Sequence, residues 1–351
     1  MGDLAAMVLC AGLGTRLRPL TRVLPKPAAP VCDVPLLHWT LALLRGAGVG
    51  RAVVNAHHLA GELAEVAGAG ARKLGLELAV SHEPVLAGTG GALREARPLL
   101  GGADPLIVVN GDVLFDLDLE AALAAHRASG ALATLVLLPM PAGARYAAVE
   151  VDRRGAVRRI AGAFGPGGPD LAPWHFSGVH LLSAELLDRV PATPFDADVN
   201  RHVYPPLMGS GRIRGFVAGG YWNDLGTPAR YLEACEDVLA GRVPLGRFAG
   251  AEPLSEAVER RRGVRAGPAV ELDPAARLAG PCYLGPGARV GAGAEVGPLA
   301  VIGAGAVVPA GAVVRGAVVW AGTRLSPGER LERAVAAGSE RVSAPPAPAP
   351  P

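Results

Sequence analysis

A loop near the amino terminus carries the residues best suited to binding phosphate. The segment Gly12-Leu-Gly-Thr-Arg16 follows an apolar run, Met7–Cys10, that predicts a buried strand, and Lys26 stands between two prolines. A glycine-containing turn exposes backbone N–H groups and lets a ligand approach the main chain closely. The chain has only one other lysine, Lys73, and otherwise uses arginine. The sequence therefore indicates a phosphate-binding loop with a point positive charge at Lys26.

This loop fits neither of the two most familiar phosphate-binding motifs. A Walker A loop requires a lysine after its last glycine, and none follows Gly14. A dinucleotide-binding fingerprint requires a third glycine, and Leu17 stands at that position. We therefore expect the loop to belong to a different kind of phosphate-binding motif.

Two carboxylates further along the chain are candidate metal ligands. Asp112 follows the apolar run Leu106–Asn110 after a glycine, where an aspartate also commonly forms a turn. Asp224 lies in a glycine- and aromatic-containing turn, directly before a helix start at Thr227-Pro228. Two carboxylates together with phosphate oxygens form a suitable oxygen site for Mg²⁺.

The order of these motifs resembles the sugar-1-phosphate nucleotidyltransferases, or NDP-sugar pyrophosphorylases. Their signature reads Leu-Ala-x-Gly-x-Gly-x-Arg followed by Pro-Lys-Pro, and residues 9–16 and 25–27 match it, with Cys10 in place of the first alanine. The resemblance covers residues 7 to about 235 and implies Mg²⁺-dependent transfer of a nucleotidyl group from an NTP to a sugar 1-phosphate. It implies that Arg16 neutralises the departing pyrophosphate, that Lys26 neutralises the phosphates around the reacting centre, and that Asp112 and Asp224 hold the metal. Arg16, Lys26 and Asp112 are the expected catalytic residues.

The resemblance also implies a set of nucleotide-binding residues. The glycine-rich stretch Gly88–Gly91 is of the form found in heptose-1-phosphate guanylyltransferases and some uridylyltransferases, and a capped helix start is its alternative interpretation. Glu83, which precedes this stretch, is interpreted as a solvated loop acid, with an acceptor for a guanine edge as the alternative. The expected nucleotide-binding residues are Leu9, Ala11, Gly12, Gly14, Thr15, Arg16, Gly88, Thr89, Gly90 and Asn110.

The expected sugar pocket departs from the family pattern. Its residues by resemblance are Tyr146, Ala147, Glu150 and Gly178, but Ala147 replaces a glycine that usually approaches the sugar. The usual Glu-Lys-Pro is missing after Ile160, and Phe176-Ser-Gly178 stands for Asn-Ala-Gly. We therefore expect a guanylyltransferase acting on a mannose- or heptose-type phosphate, with GTP or UTP as the nucleotide. The alternatives are a uridylyl- or thymidylyltransferase acting on a glucose- or N-acetylmuramic-acid-type phosphate, and a non-catalytic regulatory paralogue that binds NDP-sugar.

Alternating strands and helices must position these residues. Apolar runs predict strands at Met7–Cys10, Arg51–Asn55, Leu76–Ser81, Leu106–Asn110, Ala133–Leu138, Ala147–Val151 and Gly178–Leu182. Helical spacing predicts helices at Leu36–Ala47, His58–Lys73 and Gly90–Leu100. This alternation predicts an α/β fold with a Rossmann-like, mostly parallel sheet covered by helices on both faces, the nucleotide-diphospho-sugar transferase fold. Ligands of such sheets bind beyond the carboxyl ends of the strands.

A six-residue period begins near residue 269. Apolar residues recur at Leu272, Leu278, Leu284, Val290, Val296, Ile302, Val308, Val314 and Trp320. This period predicts a short parallel β-helix of about three coils, which resembles the left-handed hexapeptide repeats of acyltransferases and many nucleotidyltransferases. Acyl transfer is disfavoured because residues 269–328 contain no histidine. We expect an oligomerisation or packing element.

The expected organisation is a nucleotidyltransferase domain at 1–240, a linker at 241–268, the β-helix at 269–330 and a disordered proline-rich tail at 343–351. The net charge of +2 and interspersed arginines do not indicate nucleic-acid binding. The four cysteines have no metal or redox spacing and indicate buried thiols, and no apolar run is long enough for a membrane span. We expect a cytoplasmic homo-oligomer.

Overall fold

The computed structural model describes residues 4–141, 146–251 and 257–344, with the side chain of residue 261 left out. The described chain divides into two compact units. Unit 1 contains Met1–Gly12 and Leu43–Trp222, and unit 2 contains Leu13–Ala42 and Asn223–Pro351. This division does not follow the predicted domain order, because the phosphate-loop segment groups with the carboxyl-terminal part of the chain.

Each predicted strand and helix corresponds to an element of the structure, which also contains elements that were not predicted, among them the helix Leu119–Ser129. In chain order, the strands and α-helices up to the end of the last helix are β1 (Ala5–Leu9), β2 (Pro30–Val31), β3 (Val34–Pro35), α1 (Leu36–Gly46), β4 (Arg51–Ala56), α2 (Ala60–Leu74), β5 (Glu77–His82), α3 (Gly88–Ala96), β6 (Leu106–Asn110), β7 (Leu114–Leu117), α4 (Leu119–Ser129), β8 (Ala133–Leu138), β9 (Ala148–Val151), β10 (Val157–Ile160), β11 (Ala172–Leu182), α5 (Ala184–Leu187), α6 (Pro205–Met208), β12 (Ile213–Val217), β13 (Gly220–Asn223) and α7 (Pro228–Leu239). Short 3-10 turns lie at Thr15–Leu17, Leu20–Arg22, Lys26–Ala28, Arg97–Leu99 and Leu245–Arg247, and a π-helical turn lies at Val199–Val203.

Unit 1 is built on a mixed sheet. Strands β5, β4, β1 and β6 run parallel, and their residues are almost entirely apolar in β1, β4 and β6 because both faces of the sheet are covered. The register pairs Val8 with both Val54 and Val109, so the carboxyl ends of these strands meet at one edge. The predicted α/β fold class is confirmed. Strand β1, which precedes the phosphate loop, lies between β4 and β6.

The other half of this sheet is mainly antiparallel, although β12 pairs in parallel with β8. Strand β11 runs antiparallel to β6, β8 and β9, and β10 runs antiparallel to β9. A buried strand is an apolar run whether it pairs in parallel or antiparallel, so the apolar pattern could not predict the direction of β11. The sheet is accordingly less parallel than predicted.

Unit 2 contains a parallel β-helix. Its strands are β14 (Val258–Arg261), β15 (Val264–Ala266), β16 (Glu271–Leu272), β17 (Arg277–Leu278), β18 (Cys282–Leu284), β19 (Arg289–Val290), β20 (Glu295–Val296), β21 (Ala300–Ile302), β22 (Val307–Val308), β23 (Val313–Arg315), β24 (Val318–Val319), β25 (Arg330–Glu332), β26 (Ala334–Ala337) and β27 (Glu340–Ser343). Val290 pairs with Leu272 on one side and Val308 on the other, a step of 18 residues, or three hexads, per coil. Hexad residues such as Leu284, Ile302 and Val308 are buried in a common core. The hexapeptide period therefore predicted the coil correctly.

The period slips by one residue near its end. The next large aliphatic residue of the core after Val314 is Val319, five residues on, and Val318 pairs with Val335 across a step of 17 residues. Trp320, predicted as the next hexad residue, is instead buried outside this core, and its indole donates to Tyr231 on α7.

The β-helix is longer than predicted at both ends. Strand β15, within the predicted linker 241–268, pairs in parallel with β18, and β26 continues the same sheet beyond residue 330. Strand β27 folds back antiparallel onto β26 and includes Ser343, the first residue of the predicted tail. The hairpin covers a sheet edge that would otherwise be open. The rest of that tail, 345–351, lies outside the described residues.

Candidate active site

The phosphate loop of unit 2 folds onto the stem of Lys26. Gly14 has a φ of +58°, and its carbonyl accepts hydrogen bonds from Leu17 N at 3.0 Å and from Thr21 Oγ1 at 2.9 Å. A Cβ atom at Gly14 would lie 2.9 Å from Thr21 Cγ2 and 3.2 Å from Lys26 Cβ. The backbone conformation and the close approach both require glycine. Thr15 and Arg16 follow on an exposed 3-10 turn.

Three predicted site residues come together in unit 2. The Lys26 side chain is 7% exposed, and its ammonium donates to the backbone carbonyl of Asp224 at 3.1 Å. A Cβ atom at Gly226 would lie 3.0 Å from an Arg16 guanidinium nitrogen and 3.2 Å from Asp224 Oδ2. Gly226 therefore forms the floor beneath the guanidinium and the carboxylate. Residues about 200 positions apart in the sequence bring two cations and one carboxylate to a single place.

The sequence interpretation missed Arg230 at this place. Helix α7 begins at Pro228 with Thr227 as its cap, since Thr227 Oγ1 accepts a hydrogen bond from Arg230 N at 3.3 Å. The first turn of the helix directs the Arg230 guanidinium to Asp224 Oδ1 at 3.1 Å, and it also pairs with Glu233 at 2.9 Å. The available signal was the spacing, since Arg230 lies one helical turn past the cap that follows Asp224. This guanidinium would share the carboxylate with a bound cation.

In unit 1, Asp112 follows the end of β6 through an obligatory glycine. The N–H of Gly111 donates to Leu9 O at 2.9 Å, and a Cβ atom at Gly111 would lie 2.6 Å from Cys10 Sγ. Leu9 ends β1, Ala11 is buried, and Gly12 is exposed. Burial, and secondarily the negative charge of Asp112, raise the pKa of the Cys10 thiol far above its ordinary value. Cys10 is therefore an uncharged packing residue beside the Asp112 carboxylate.

A buried polar network fixes the loops at the carboxyl ends of β1, β4 and β5. Cys10 N donates to Asn55 Oδ1 at 2.6 Å, and Asn55 Nδ2 donates to Glu83 Oε1 at 2.7 Å. Glu83 Oε2 accepts from Ala87 N at 3.0 Å, just before α3. Glu83 is only 4% exposed, so its interpretation as a solvated loop acid is wrong. Its carboxylate holds two loops together rather than facing a base.

The glycine-rich start of α3 packs tightly against a neighbouring segment of unit 1. Thr89 Oγ1 donates to Asp198 Oδ2 at 3.1 Å and accepts from Val199 N at 2.9 Å. A Cβ atom at Gly88 would lie 2.5 Å from Asp196 O, and one at Gly90 would lie 2.9 Å from Ala197 O. These contacts explain the glycines and the threonine by packing. Nucleotide binding by Gly88, Thr89 and Gly90 stays a prediction.

Asn110 and Gly178 meet across the pair of strands β6 and β11. Gly178 has a φ of +85°, and a Cβ atom there would lie 3.0 Å from Asn110 Nδ2. The adjacent Ser177, which replaces the family's alanine, is fully buried and donates its hydroxyl to Val136 O at 2.7 Å. The Ser177 hydroxyl is therefore engaged with the backbone of β8.

A cavity of about 460 Å³ lies beside β9 in unit 1. Its apolar walls include Ala147, Val149 and Phe176, whereas Asp198, Asn200 and Arg201 supply its polar side. The full lining is Ala147, Val149, Ile160, Ala161, Phe164, Phe176, Asp198, Asn200 and Arg201. The Arg201 guanidinium carbon lies 5.5 Å from the centre of the Phe164 ring. The predicted sugar residue Ala147 therefore borders a cavity of suitable character for a small, partly apolar ligand.

Glu150 and Tyr146, two further residues expected at the sugar, are not part of the lining of this cavity. Glu150 is not part of the cavity lining, because alternate residues of β9 face opposite sides, and its carboxylate pairs with Arg159. The hydrogen bond from Arg159 lowers the pKa of Glu150. The Tyr146 ring lies 4.3 Å from that of His175 and 5.7 Å from that of Trp222. The structure therefore joins Ala147, but not Glu150, to the cavity.

The donor chemistry of Asp112 and Asp224 fits Mg²⁺, a hard cation that prefers carboxylate oxygens. Within residues 4–141, 146–251 and 257–344, no three histidine, cysteine or acidic side chains form a metal site by themselves. A Mg²⁺ ion at either carboxylate would take phosphate oxygens or water as its further ligands. The four cysteines are unpaired by disulfides and buried, as predicted. No helix among the described residues has the length and apolar character of a membrane span.

A model of the family described as nucleotidyl transferase matches residues 5–241, which include the phosphate loop and both candidate metal ligands. The chain belongs to this family. The match accords with the geometry in unit 2, where Arg16, Lys26 and Asp224 converge.

Curated relatives are identical to this chain at 30–31% of the aligned positions. It is 30% identical over 236 residues to the mannose-1-phosphate guanylyltransferase catalytic subunit beta of Xenopus tropicalis, a match covering 65% of this chain and 62% of that protein. It is 30% identical over 263 residues to the UTP–glucose-1-phosphate uridylyltransferase of Synechocystis, covering 70% and 66%. It is 31% identical over 241 residues to the mannose-1-phosphate guanylyltransferase of Mycobacterium tuberculosis, covering 68% and 66%. The chain thus spans less than two thirds of the length of these relatives.

Proposed function

We propose that this protein transfers a nucleotidyl group from an NTP to a sugar 1-phosphate and releases pyrophosphate. The observation that carries the proposal is the convergence of Arg16, Lys26 and Asp224 in unit 2. Phosphoryl and nucleotidyl transfer require little covalent chemistry from the protein, since catalysis consists of positioning and charge stabilisation. The Lys26 ammonium, fixed by the Asp224 carbonyl, is suited to neutralise phosphate oxygens at the reacting centre. The exposed Arg16 guanidinium is suited to the departing pyrophosphate.

The metal is proposed to be Mg²⁺, held by Asp112 and Asp224 together with phosphate oxygens. When bound, it would neutralise negative charge on those oxygens. The supporting observations are the oxygen donors of both side chains and the placement of Asp112 by Gly111. Arg230, by holding Asp224 Oδ1, leaves Oδ2 on the side of Gly226 and Arg16. This arrangement suits a single-oxygen contact from Asp224 to a cation.

For the substrates, we propose GTP with a mannose- or heptose-type 1-phosphate, and UTP with a glucose- or muramic-type 1-phosphate as the alternative. Support for guanylyl transfer comes from the names of the frog and mycobacterial relatives, and support for uridylyl transfer comes from the cyanobacterial one. The cavity beside Ala147 accepts the sugar in this proposal. Its Ile160, Phe164 and Phe176 walls favour a sugar with an apolar substituent over one recognised only through hydroxyl groups. A cytoplasmic homo-oligomer remains the expected state.

A screen for pyrophosphate release tests the proposal. The four common NTPs are combined with mannose, heptose, glucose and N-acetylmuramic acid 1-phosphates, with and without Mg²⁺. We expect release with at least one pair, dependence on Mg²⁺, and a loss of about 100-fold or more in Asp112→Asn. Asp170→Asn is the matched control, since Asp170 lies on the surface in a pair with Arg153. Absence of release with every pair would overturn the proposal, and unchanged turnover of Asp112→Asn would overturn the metal assignment.

One observation favours a second candidate, a regulatory protein that binds NDP-sugar without turning it over. The ion pair with Arg230 already neutralises the Asp224 carboxylate and engages one of its two oxygens, so Asp224 has a structural partner that does not depend on a metal. The two candidates predict different outcomes of one experiment. A regulatory protein would bind NDP-sugar in calorimetry but release no pyrophosphate in the screen, whereas the enzyme would do both.

A further inference from the structure

A short hairpin connects the Lys26 turn to the β-helix within unit 2. The hairpin consists of β2 and β3, and its tip residues Cys32 and Asp33 have φ values of +47° and +67°. The Asp33 carboxylate reaches the β-helix, where its Oδ2 accepts a hydrogen bond from Ala304 N at 2.9 Å. A Cβ atom at Gly285 would lie 2.7 Å from the same oxygen. A turn of one coil thus donates to the carboxylate, and the absence of a side chain in the preceding coil leaves room for it.

A second connection runs from the β-helix to the start of the same hairpin. The Trp320 indole donates to the Tyr231 hydroxyl at 2.9 Å, and that hydroxyl donates to the carbonyl of Pro30. Tyr231 is fully buried and Trp320 is 6% exposed. Ala29 N donates to Lys26 O at 3.0 Å, so the Lys26 turn leads directly into Pro30. The one-residue slip of the hexad period is what directs Trp320 out of the β-helix core toward this chain of hydrogen bonds.

A third connection runs through helix α7. Glu236 pairs with Arg333 of the β-helix at 3.1 Å, and its side chain is 15% exposed. The same helix presents Tyr231 to Pro30 and Arg230 to the Asp224 carboxylate. One rigid helix therefore links the β-helix to both Lys26 and Asp224.

We propose that the β-helix holds the phosphate-binding residues of unit 2 in place, with Asp33 and Tyr231 as positioning residues for Lys26. This inference rests on the proposed function for its kinetic consequence. A long lysine side chain has several rotamers, and a displacement of about 1 Å at a reacting centre can cost on the order of 100-fold in rate. Two partly buried hydrogen bonds on either side of the hairpin, at Pro30 and Asp33, restrict the backbone that carries Lys26. The β-helix thereby acts on the reaction without contacting substrate.

Matched variants of the full chain separate positioning from general stability. Asp33→Gly removes the carboxylate while glycine adopts the positive φ without strain, and Asp33→Asn keeps an oxygen acceptor for Ala304 N. Tyr231→Phe removes only the hydroxyl. Tyr204→Phe is the control, since it also removes one buried hydroxyl, whose partner is His180 in unit 1.

The measurements are steady-state pyrophosphate release and hydrogen exchange of the peptide covering residues 26–36. We expect kcat to fall about 5- to 50-fold in Asp33→Gly and Tyr231→Phe, with KM for the NTP changed less than about threefold. We expect faster exchange of residues 26–36 in both variants, and kcat near the wild-type value in Asp33→Asn and Tyr204→Phe. Unchanged kcat and exchange in Asp33→Gly, or an equal loss in Tyr204→Phe, would overturn the inference. If the wild-type protein releases no pyrophosphate, the proposed function fails, and the exchange data alone decide whether the β-helix orders the Lys26 segment.

Discussion

The candidate phosphate-binding cluster of unit 2 and the cavity of unit 1 consist of different kinds of residues. The cluster consists of charged groups fixed by hydrogen bonds, as with Lys26 on the Asp224 carbonyl and Arg230 on its carboxylate. The cavity consists largely of apolar walls whose shape depends on small residues such as Ala147. Charged residues in fixed order are visible in a sequence, whereas the shape of a cavity is not. This difference explains why the reaction class can be inferred and the sugar cannot.

The largest effect is expected from the cluster, in Lys26→Met. The variant keeps an unbranched side chain of similar length but loses the ammonium that neutralises phosphate charge. We expect kcat for pyrophosphate release to fall by about 100- to 1,000-fold. Lys73→Met is the matched control, because Lys73 is exposed on α2. Equal activity of the two variants would remove Lys26 from the cluster.

A smaller effect, on the free energy of unfolding, is expected where the two parallel strands β1 and β6 approach each other. In Gly111→Ala, the new methyl group would lie 2.8 Å from Leu9 O, a backbone atom that cannot move without distorting β1. We expect a loss of about 1–3 kcal/mol in the free energy of unfolding, measured with denaturant. Gly50→Ala serves as control, since a Cβ atom there meets nothing within 4 Å. A similar loss in both variants would show that packing around Gly111 is unimportant.

A substitution in the cavity should change the affinity for the sugar 1-phosphate rather than the rate of the chemical step. We expect Ala147→Leu to raise KM for the sugar 1-phosphate about 10-fold while leaving KM for the NTP unchanged, because the larger side chain enters the cavity. Ala163→Leu adds the same bulk at an exposed residue outside the lining. If Ala147→Leu alters only the nucleotide KM, the cavity does not bind the sugar.

The smallest effect is expected at Asp33 and depends on pH. Burial raises the pKa of Asp33 from 3.8 to about 6, against the opposing hydrogen bond from Ala304. A carboxyl group whose pKa is higher in the folded state loses stabilisation as the pH rises from its unfolded pKa through its folded pKa. Wild-type stability should therefore decline between pH 3.8 and about 6 relative to Asp33→Asn, which does not titrate.

Thermal unfolding of both proteins from pH 4 to pH 8 measures this difference. We expect the Tm of Asp33→Asn to exceed that of the wild type by about 2–5 °C at pH 8, with the gap closing near pH 4. The neighbouring Cys32 thiol is buried with a raised pKa and does not titrate in this range. A constant Tm gap across the range would contradict the assignment.

Much of the fold was predictable because the spacing of apolar residues is a property of the local sequence. The run Leu106–Asn110 predicted β6 to the residue, and the 18-residue step of the β-helix followed from three hexads. The direction of β11 and the slip at Trp320 were not predictable, because both depend on neighbouring strands rather than on local pattern.

The candidate site was predictable where a motif fixed both residue type and spacing. Arg16, Lys26 and Asp224 were identified in this way, and the structure brings them together. Glu83 was misjudged because its partner Asn55 lies on another strand, β4, to which no local spacing joins it. Arg230 was missed although its spacing from the helix cap at Thr227 was an available signal. Glu150, expected at the sugar by resemblance, pairs with Arg159 outside the cavity lining, and its contact with a sugar stays a prediction.

The most direct test of the proposed function is ³¹P nuclear magnetic resonance of the reaction with the most active substrate pair from the screen. We predict that the signals of NTP and sugar 1-phosphate decline together while those of NDP-sugar and pyrophosphate appear in equal amounts. We predict that Lys26→Met forms neither product on the same time scale and that Lys73→Met forms both. Formation of pyrophosphate without NDP-sugar, or the absence of both products from the wild-type protein with every pair, would contradict the account.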